Sequence, residues 1–172
     1  MSDKSVSEQA PVAFGEKLAS SQTFTTLFRE GMALVEETAA YLDGPGRQDS
    51  KRLERGPALT YATESMRLTT RLMQVASWLL LHRAVNEGEM SLADAFKEKR
   101  KVKLSSGEQV DEQTLKLLPE RLGDLIARSG RLQDKVRRLD ATIHAPLPEQ
   151  IKASPVDQHL GLLRAAFERD PA

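Results

Sequence analysis

A run of regularly spaced apolar residues constrains the fold of this chain most strongly. Nine positions recur in alternating steps of three and four residues: Leu115, Leu118, Leu122, Leu125, Ser129, Leu132, Val136, Leu139 and Ile143. This spacing is typical of a helix whose apolar stripe faces other helices in a bundle or coiled coil. It predicts a long amphipathic helix with Pro119 in its first turn.

An earlier segment carries the same helical periodicity. Its apolar stripe comprises Phe24, Leu27, Phe28, Leu34, Val35, Thr38 and Leu42. Ser20 or Ser21 can cap the start of this helix, and Gly44-Pro45-Gly46 predicts its end.

A third segment begins at Pro57 and has no Gly or Pro from Ala58 to about Glu87. One face of this helix carries Leu68, Leu72, Val75 and Leu79, and a neighbouring stripe carries Met66, Met73, Ala76 and Leu80. The chain is 40% hydrophobic but only 5% aromatic, which favours a helical bundle over a sandwich or barrel. We therefore predict an all-α protein, an antiparallel three-helix bundle over residues 20–145.

The regions outside these helices are less regular. We predict that residues 1–19 form a flexible N-terminal arm and that residues 88–112 form a mobile loop. Within that loop Ser91 and Asp94 resemble a capping box, so residues 92–100 can form a short helix.

We predict that residues 146–172 form a flexible C-terminal tail, because Pro146 and Pro148 favour an extended linker. The tail contains one short amphipathic stripe: Val156, Leu160, Leu163 and Phe167. This stripe fits either a docking segment that becomes helical in the groove of a partner or a fourth helix of the same bundle. We predict the first, a partner-binding segment.

The end of the second long helix is apolar on nearly every side. Trp78, Leu81 and Val85 lie on a third side of the helix, beside the two stripes already described. A three-helix bundle does not cover that much apolar surface. We therefore predict a homodimer with Trp78, Leu81 and Val85 in its interface.

The sequence predicts no enzymatic, cofactor or metal site. The chain has no cysteine and no Gly-rich phosphate loop, and its three histidines occur in no HExxH or HxH spacing. The formal net charge is zero, which argues against nucleic acid as a partner, although Lys97 to Lys103 form a short basic run. No apolar run is long enough for a membrane span, and the polar N-terminus does not resemble a secretory signal, so we expect a cytoplasmic protein.

His82 leaves one alternative open. A histidine on a long helix of an α-bundle can accept a phosphoryl group, as in phosphotransfer domains. Its neighbours here are Leu79, Leu80, Leu81 and Val85, which favour a packed or interfacial histidine instead.

Two uninterrupted blocks, FREGMALVEETAAYLDGPGRQ at residues 28–48 and YATESMRLTTRLMQVASWLLLHRAVNEGEMSL at residues 61–92, closely resemble the regulators of CtrA degradation, RcdA, of alphaproteobacteria. The resemblance implies a homodimeric three-helix bundle that acts as a non-enzymatic adaptor. Such adaptors bring substrates, among them CtrA, to the ClpXP protease at a cell pole. They act with the response-regulator-like factor CpdR and the cyclic-di-GMP-binding factor PopA, and they carry a mobile C-terminal segment linked to partner binding.

Overall fold

A computed structural model describes residues 21–101, 104 and 110–144. These residues form six helices and no strand: α1 (Gln22–Asp43), α2 (Pro45–Lys51), α3 (Arg55–Asn86), α4 (Leu92–Lys99), α5 (Glu112–Lys116) and α6 (Glu120–Ile143). The predicted all-α class is confirmed.

The three long helices α1, α3 and α6 each pack against the other two and enclose one core. The heptad prediction for α6 is confirmed, because every member of that series from Leu118 to Ile143 is buried and Leu115 is partly buried against the core. Burial of these side chains supplies most of the stability of the helices, since isolated helices of this length are marginal in water.

Two ion pairs between α1 and α6 define their relative direction. Glu30 pairs with Lys135 at 2.9 Å, and Glu37 pairs with Arg128 at 2.8 Å. The later residue of α1 therefore meets the earlier residue of α6, and these two helices are antiparallel.

The helices α3 and α6 run in the same direction, so the predicted antiparallel arrangement does not hold for these two successive long helices. Arg71 donates a hydrogen bond to Ser129 at 2.9 Å, and Trp78 donates one to Asp140 at 2.7 Å. An antiparallel neighbour follows from a short connection. Here residues 87–119 separate the two helices, a connection long enough to return along the bundle.

The helix ends follow the local sequence. Ser21 caps α1 by accepting a hydrogen bond from the Phe24 amide at 3.4 Å, and Gly44 ends α1 before α2 begins at Pro45. The helix α3 begins at Arg55, two residues before Pro57, where we had placed its start. Pro119 lies directly before α6 instead of inside its first turn.

The segment predicted as a mobile loop contains a docked helix. Ser91 caps α4 by accepting a hydrogen bond from the Asp94 amide at 3.1 Å, as the capping-box prediction required. The helix packs on α3 and buries Ala95. Residues 92–99 are therefore part of the folded domain. Among the helices described above, none is long and apolar enough to cross a membrane.

Candidate functional site

A cluster of titratable side chains lies where α4 covers the ends of α3 and α6. His82 comes from the last turns of α3, Asp140 and His144 come from the end of α6, and Lys99 comes from α4. Asp140 and His144 share a face of α6 because they are four residues apart. The parallel arrangement of α3 and α6 brings His82 to the same end of the bundle.

Asp140 is the centre of this cluster. Its Oδ1 accepts a hydrogen bond from Nε1 of Trp78 at 2.7 Å, and its Oδ2 pairs with the ammonium group of Lys99. Nε2 of His144 lies 3.4 Å from Oδ1 but without the geometry of a hydrogen bond. The carboxylate of Asp140 therefore connects α6 to both α3 and α4.

The imidazole of His82 is packed in the core. It is 1% exposed and packs against Trp78, with the ring centroids 4.1 Å apart and the ring planes tilted by 38°. The His144 ring lies 5.6 Å from the His82 ring and 5.1 Å from the Phe96 ring of α4. Nδ1 of His82 and Nε2 of His144 are both buried and have no hydrogen-bond partner among the described residues.

Both histidines are held in the neutral form. Burial, together with repulsion from His144 and Lys99, lowers the pKa of His82 to about 4, although Asp140 partly offsets these effects. Burial also lowers the pKa of His144, against the attraction of Asp140. At neutral pH each ring therefore offers one nitrogen lone pair.

This geometry restricts the chemistry of the cluster. A phosphoryl donor cannot reach an imidazole that is 1% exposed, so the structure gives no support to phosphotransfer through His82. Two neutral imidazoles beside a carboxylate are instead potential metal ligands. One donor atom from each of His82, Asp140 and His144 lies within 4.8 Å of the others.

A second candidate site is the outer face of α3, which Glu98 and Lys101 border at the end that carries Leu80 and Ala84. Four large apolar side chains are exposed at seven-residue intervals: Leu59 (71%), Met66 (72%), Met73 (66%) and Leu80 (53%). The small residues Thr63, Thr70, Ser77 and Ala84 alternate with them. We call these eight residues the outer seam. Patches of exposed apolar surface of this kind mark interaction sites.

The residues predicted for a dimer interface lie in different environments. Trp78 is 1% exposed within the single chain and packs against Phe24 and His82, so its side chain is not available to a second copy. This burial corrects the prediction for Trp78, because the apolar end of α3 is covered largely by its own bundle. Leu81 and Val85 are half-buried, and Leu81 borders a shallow groove beside the outer seam.

The predicted partner-binding residues Val156, Leu160, Leu163 and Phe167 lie outside the described residues. The predicted N-terminal arm and the last two residues of the basic run, 102 and 103, also lie outside them. Sequence reasoning missed the histidine cluster, because two of its members lie 62 residues apart. The four-residue spacing of Asp140 and His144 was the one local signal of it. Sequence reasoning placed Met66, Met73 and Leu80 in a second apolar stripe of this helix, and the structure shows that their side chains are exposed.

Fold and site define the chain as an all-helical bundle protein with an exposed apolar seam and a buried histidine–carboxylate cluster. The family described as "Protein of unknown function (DUF1465)" matches residues 15–167. The crystal structure of RcdA from Caulobacter crescentus CB15 is similar, with 53% sequence identity, a TM-score of 0.64 and coverage of 77% of this chain and 99% of that chain. Comparison with curated proteins gave no match. The chain belongs to the RcdA family, the regulators of CtrA degradation.

Proposed function

We propose that this protein is a non-enzymatic adaptor that delivers cell-cycle regulators such as CtrA to the ClpXP protease. The resemblance to RcdA directs the proposal to regulated proteolysis, and it implies CpdR-like and PopA-like factors as further partners. The protein then works in the cytoplasm and is recruited to a cell pole. The structural observation that carries the proposal is the outer seam, a surface suited to binding proteins.

The outer seam has the spacing of a coiled-coil contact. From Leu59 to Leu80 it extends roughly 32 Å along α3, since a helix rises about 1.5 Å per residue. Shallow grooves of about 330 and 320 Å³ lie beside it, where small residues separate the large ones. Large side chains of a facing helix fit such gaps as knobs fit holes.

The occupant we propose for the outer seam is a second copy of the chain. The alternation of large and small residues is self-complementary, so two α3 helices can place large side chains opposite small ones. The flanking Arg67 and Arg83 are already paired within their own helix, with Glu64 at 3.1 Å and Glu87 at 2.8 Å. A second copy therefore does not bring unpaired cations together.

We place the contact with partner proteins in the tail, at Val156, Leu160, Leu163 and Phe167. Their helical spacing supports a segment that binds in a groove through one apolar face. The outer seam then mediates self-association, and the tail binds partner proteins.

Met73→Glu tests the seam. We expect the variant to be monomeric and folded, because an exposed position tolerates Glu in the monomer whereas a burying interface does not. Sedimentation equilibrium and far-UV circular dichroism measure the two properties. Leu117→Glu is the matched control, because Leu117 is 48% exposed and lies away from the seam. A wild-type protein that is monomeric at micromolar concentration contradicts the dimer.

Delivery is tested separately in a reconstituted reaction containing ClpXP, the CpdR-like and PopA-like factors and CtrA. We expect CtrA to be degraded faster when the full-length protein is added. Degradation at the same rate with and without the protein contradicts the proposed function, whatever its oligomeric state.

A further inference from the structure

We propose that His82, Asp140 and His144 form a binding site for a divalent transition-metal ion, with Zn²⁺ the ion that their donors fit best. This inference concerns metal binding and is independent of the proposed adaptor function. It starts from geometry, because one donor atom from each residue lies within 4.8 Å of the others. Two of the three belong to one face of α6, and the third comes from α3, so a bound ion would join the two parallel helices.

The buried nitrogens are the second observation. Nδ1 of His82 and Nε2 of His144 have no hydrogen-bond partner among the described residues, although His82 is 99% buried. A buried polar atom without a partner is destabilising unless something satisfies it. A metal ion bound by these two nitrogens would satisfy both at once, since each neutral imidazole can direct a lone pair to the ion.

The surroundings of Asp140 also resemble those of a ligating carboxylate. Ligating groups are typically oriented by hydrogen bonds from a surrounding shell of residues. The indole of Trp78 performs this task here, because it donates to Oδ1 and is itself fixed in the core. The rings of Trp78 and Phe96 flank the two histidines and limit access of water.

Lys99 competes with a cation at this site. Its ammonium group pairs with Oδ2 of Asp140, so an incoming ion must share or displace it. Because Lys99 lies on α4, metal binding would also weaken the ion pair that holds α4 against α6. The site thus couples metal binding to the docking of α4.

The chemical type of the three donor atoms determines which class of metal ion they bind best. Two imidazole nitrogens and one carboxylate oxygen suit Zn²⁺ and its neighbours in the first transition series better than Mg²⁺ or Ca²⁺, which prefer oxygen. With bonds of about 2.0–2.1 Å, tetrahedral donors lie roughly 3.3 Å apart. Nε2 of His144 already lies 3.4 Å from Oδ1 of Asp140. His144 can also adjust, because it is the C-terminal cap of α6 and lies outside the regular helix.

The test uses the untagged, full-length protein after treatment with a chelator. Isothermal titration with Zn²⁺ should give one ion per chain, and Co²⁺ should give the visible absorption of a four-coordinate site. Because the chain has no cysteine, thiolate ligands cannot produce that spectrum. Bound Zn²⁺ should also raise the melting temperature.

Variants assign the site. His144→Gln and Asp140→Asn should each weaken Zn²⁺ binding by at least roughly tenfold, the lower end of what losing even a supporting residue causes. His159→Gln is the matched control, since His159 is the third histidine of the chain and is not a proposed ligand, and this variant should bind Zn²⁺ as the wild type does. Lys99→Gln should bind more tightly, because the competing cation is gone.

The possible results of these measurements either support the metal site or overturn it. If His82→Gln fails to fold, the surface-proximal variants His144→Gln and Lys99→Gln still decide the result. Absence of Zn²⁺ binding, binding that persists in His144→Gln, or binding that His159→Gln abolishes overturns the proposal and identifies the cluster as a packing arrangement only.

Discussion

At the scale of single residues, two glycines of the long helices have opposite roles. A Cβ at Gly31 would lie 2.5 Å from Cδ1 of the buried Leu79, so glycine allows α1 to approach α3 closely. A Cβ at Gly130 of α6 would meet nothing within 4 Å. Glycine at Gly130 therefore lowers helix stability without a packing benefit.

Gly130→Ala should raise the free energy of unfolding by about 0.5–1 kcal/mol, the usual advantage of Ala over Gly inside a helix. Gly31→Ala is the matched variant and should be less stable than wild type, because Leu79 must move within a packed core. Urea unfolding measures both. A stabilising Gly31→Ala would show that the α1–α3 contact has spare room.

The buried histidine makes stability depend on pH. The unfolded chain takes up a proton on His82 near pH 6.5, whereas the folded protein resists protonation until about pH 4. The folded state is therefore favoured fully above pH 6.5, and this contribution is lost as the pH falls from 6.5 towards 4. The groups facing His82 are His144 and Asp140 of α6 and Lys99 of α4.

We expect the loss from His82 to be on the order of 3 kcal/mol over this range. Urea unfolding at several pH values measures the loss, and an NMR titration of the His82 ring in the folded protein measures its pKa directly. A midpoint near pH 6.5 in the folded state would contradict the buried, neutral ring.

At the scale of elements, the apolar positions that recur along the sequence of α6 are the positions that the structure buries. Leu125 and Leu132 are fully buried members of its heptad series. Truncation of either to Ala should lower the free energy of unfolding by about 2–5 kcal/mol, through lost burial and the cavity left behind. Leu59→Ala on the exposed seam is the control and should cost far less in the monomer. A change below roughly 1 kcal/mol at Leu125 would contradict the observed core.

The short helix α4 shows how a local signal becomes a tertiary contact. Its cap at Ser91 follows from the sequence, but eight residues do not form a stable helix alone in water. Docking on α3 and the Lys99–Asp140 ion pair supply the missing stabilisation. The sequence predicted this short helix but not its docking, because local propensity does not include contacts between distant residues.

At the scale of the whole molecule, the prediction concerns the tail. Deletion of residues 146–172 should leave the helix content and melting temperature of the bundle nearly unchanged but weaken partner binding. The reason is that α1, α3 and α6 already enclose a core of buried side chains among the described residues. Circular dichroism and a pull-down with the purified partners measure the two effects.

The double variant Leu163→Glu with Phe167→Glu should reproduce the binding defect in the full-length protein. Arg164→Gln with Glu168→Gln, which changes polar neighbours of the same stripe, is the matched control. A deletion that lowers the melting temperature by many degrees would mean that the tail is a fourth helix of the core.

Sequence alone determined the all-α class, the three long helices, the caps of α1 and the N-cap of α4, and the buried face of α6, because helical periodicity and capping act over a few neighbouring residues. Only the tertiary structure decided that α3 runs parallel to α6, that Trp78 is buried, and that Met66 and Met73 face outwards. It also brought His82 to Asp140 and His144. These features depend on contacts between distant residues, since a helix that is apolar on several sides does not specify which side its neighbours will cover.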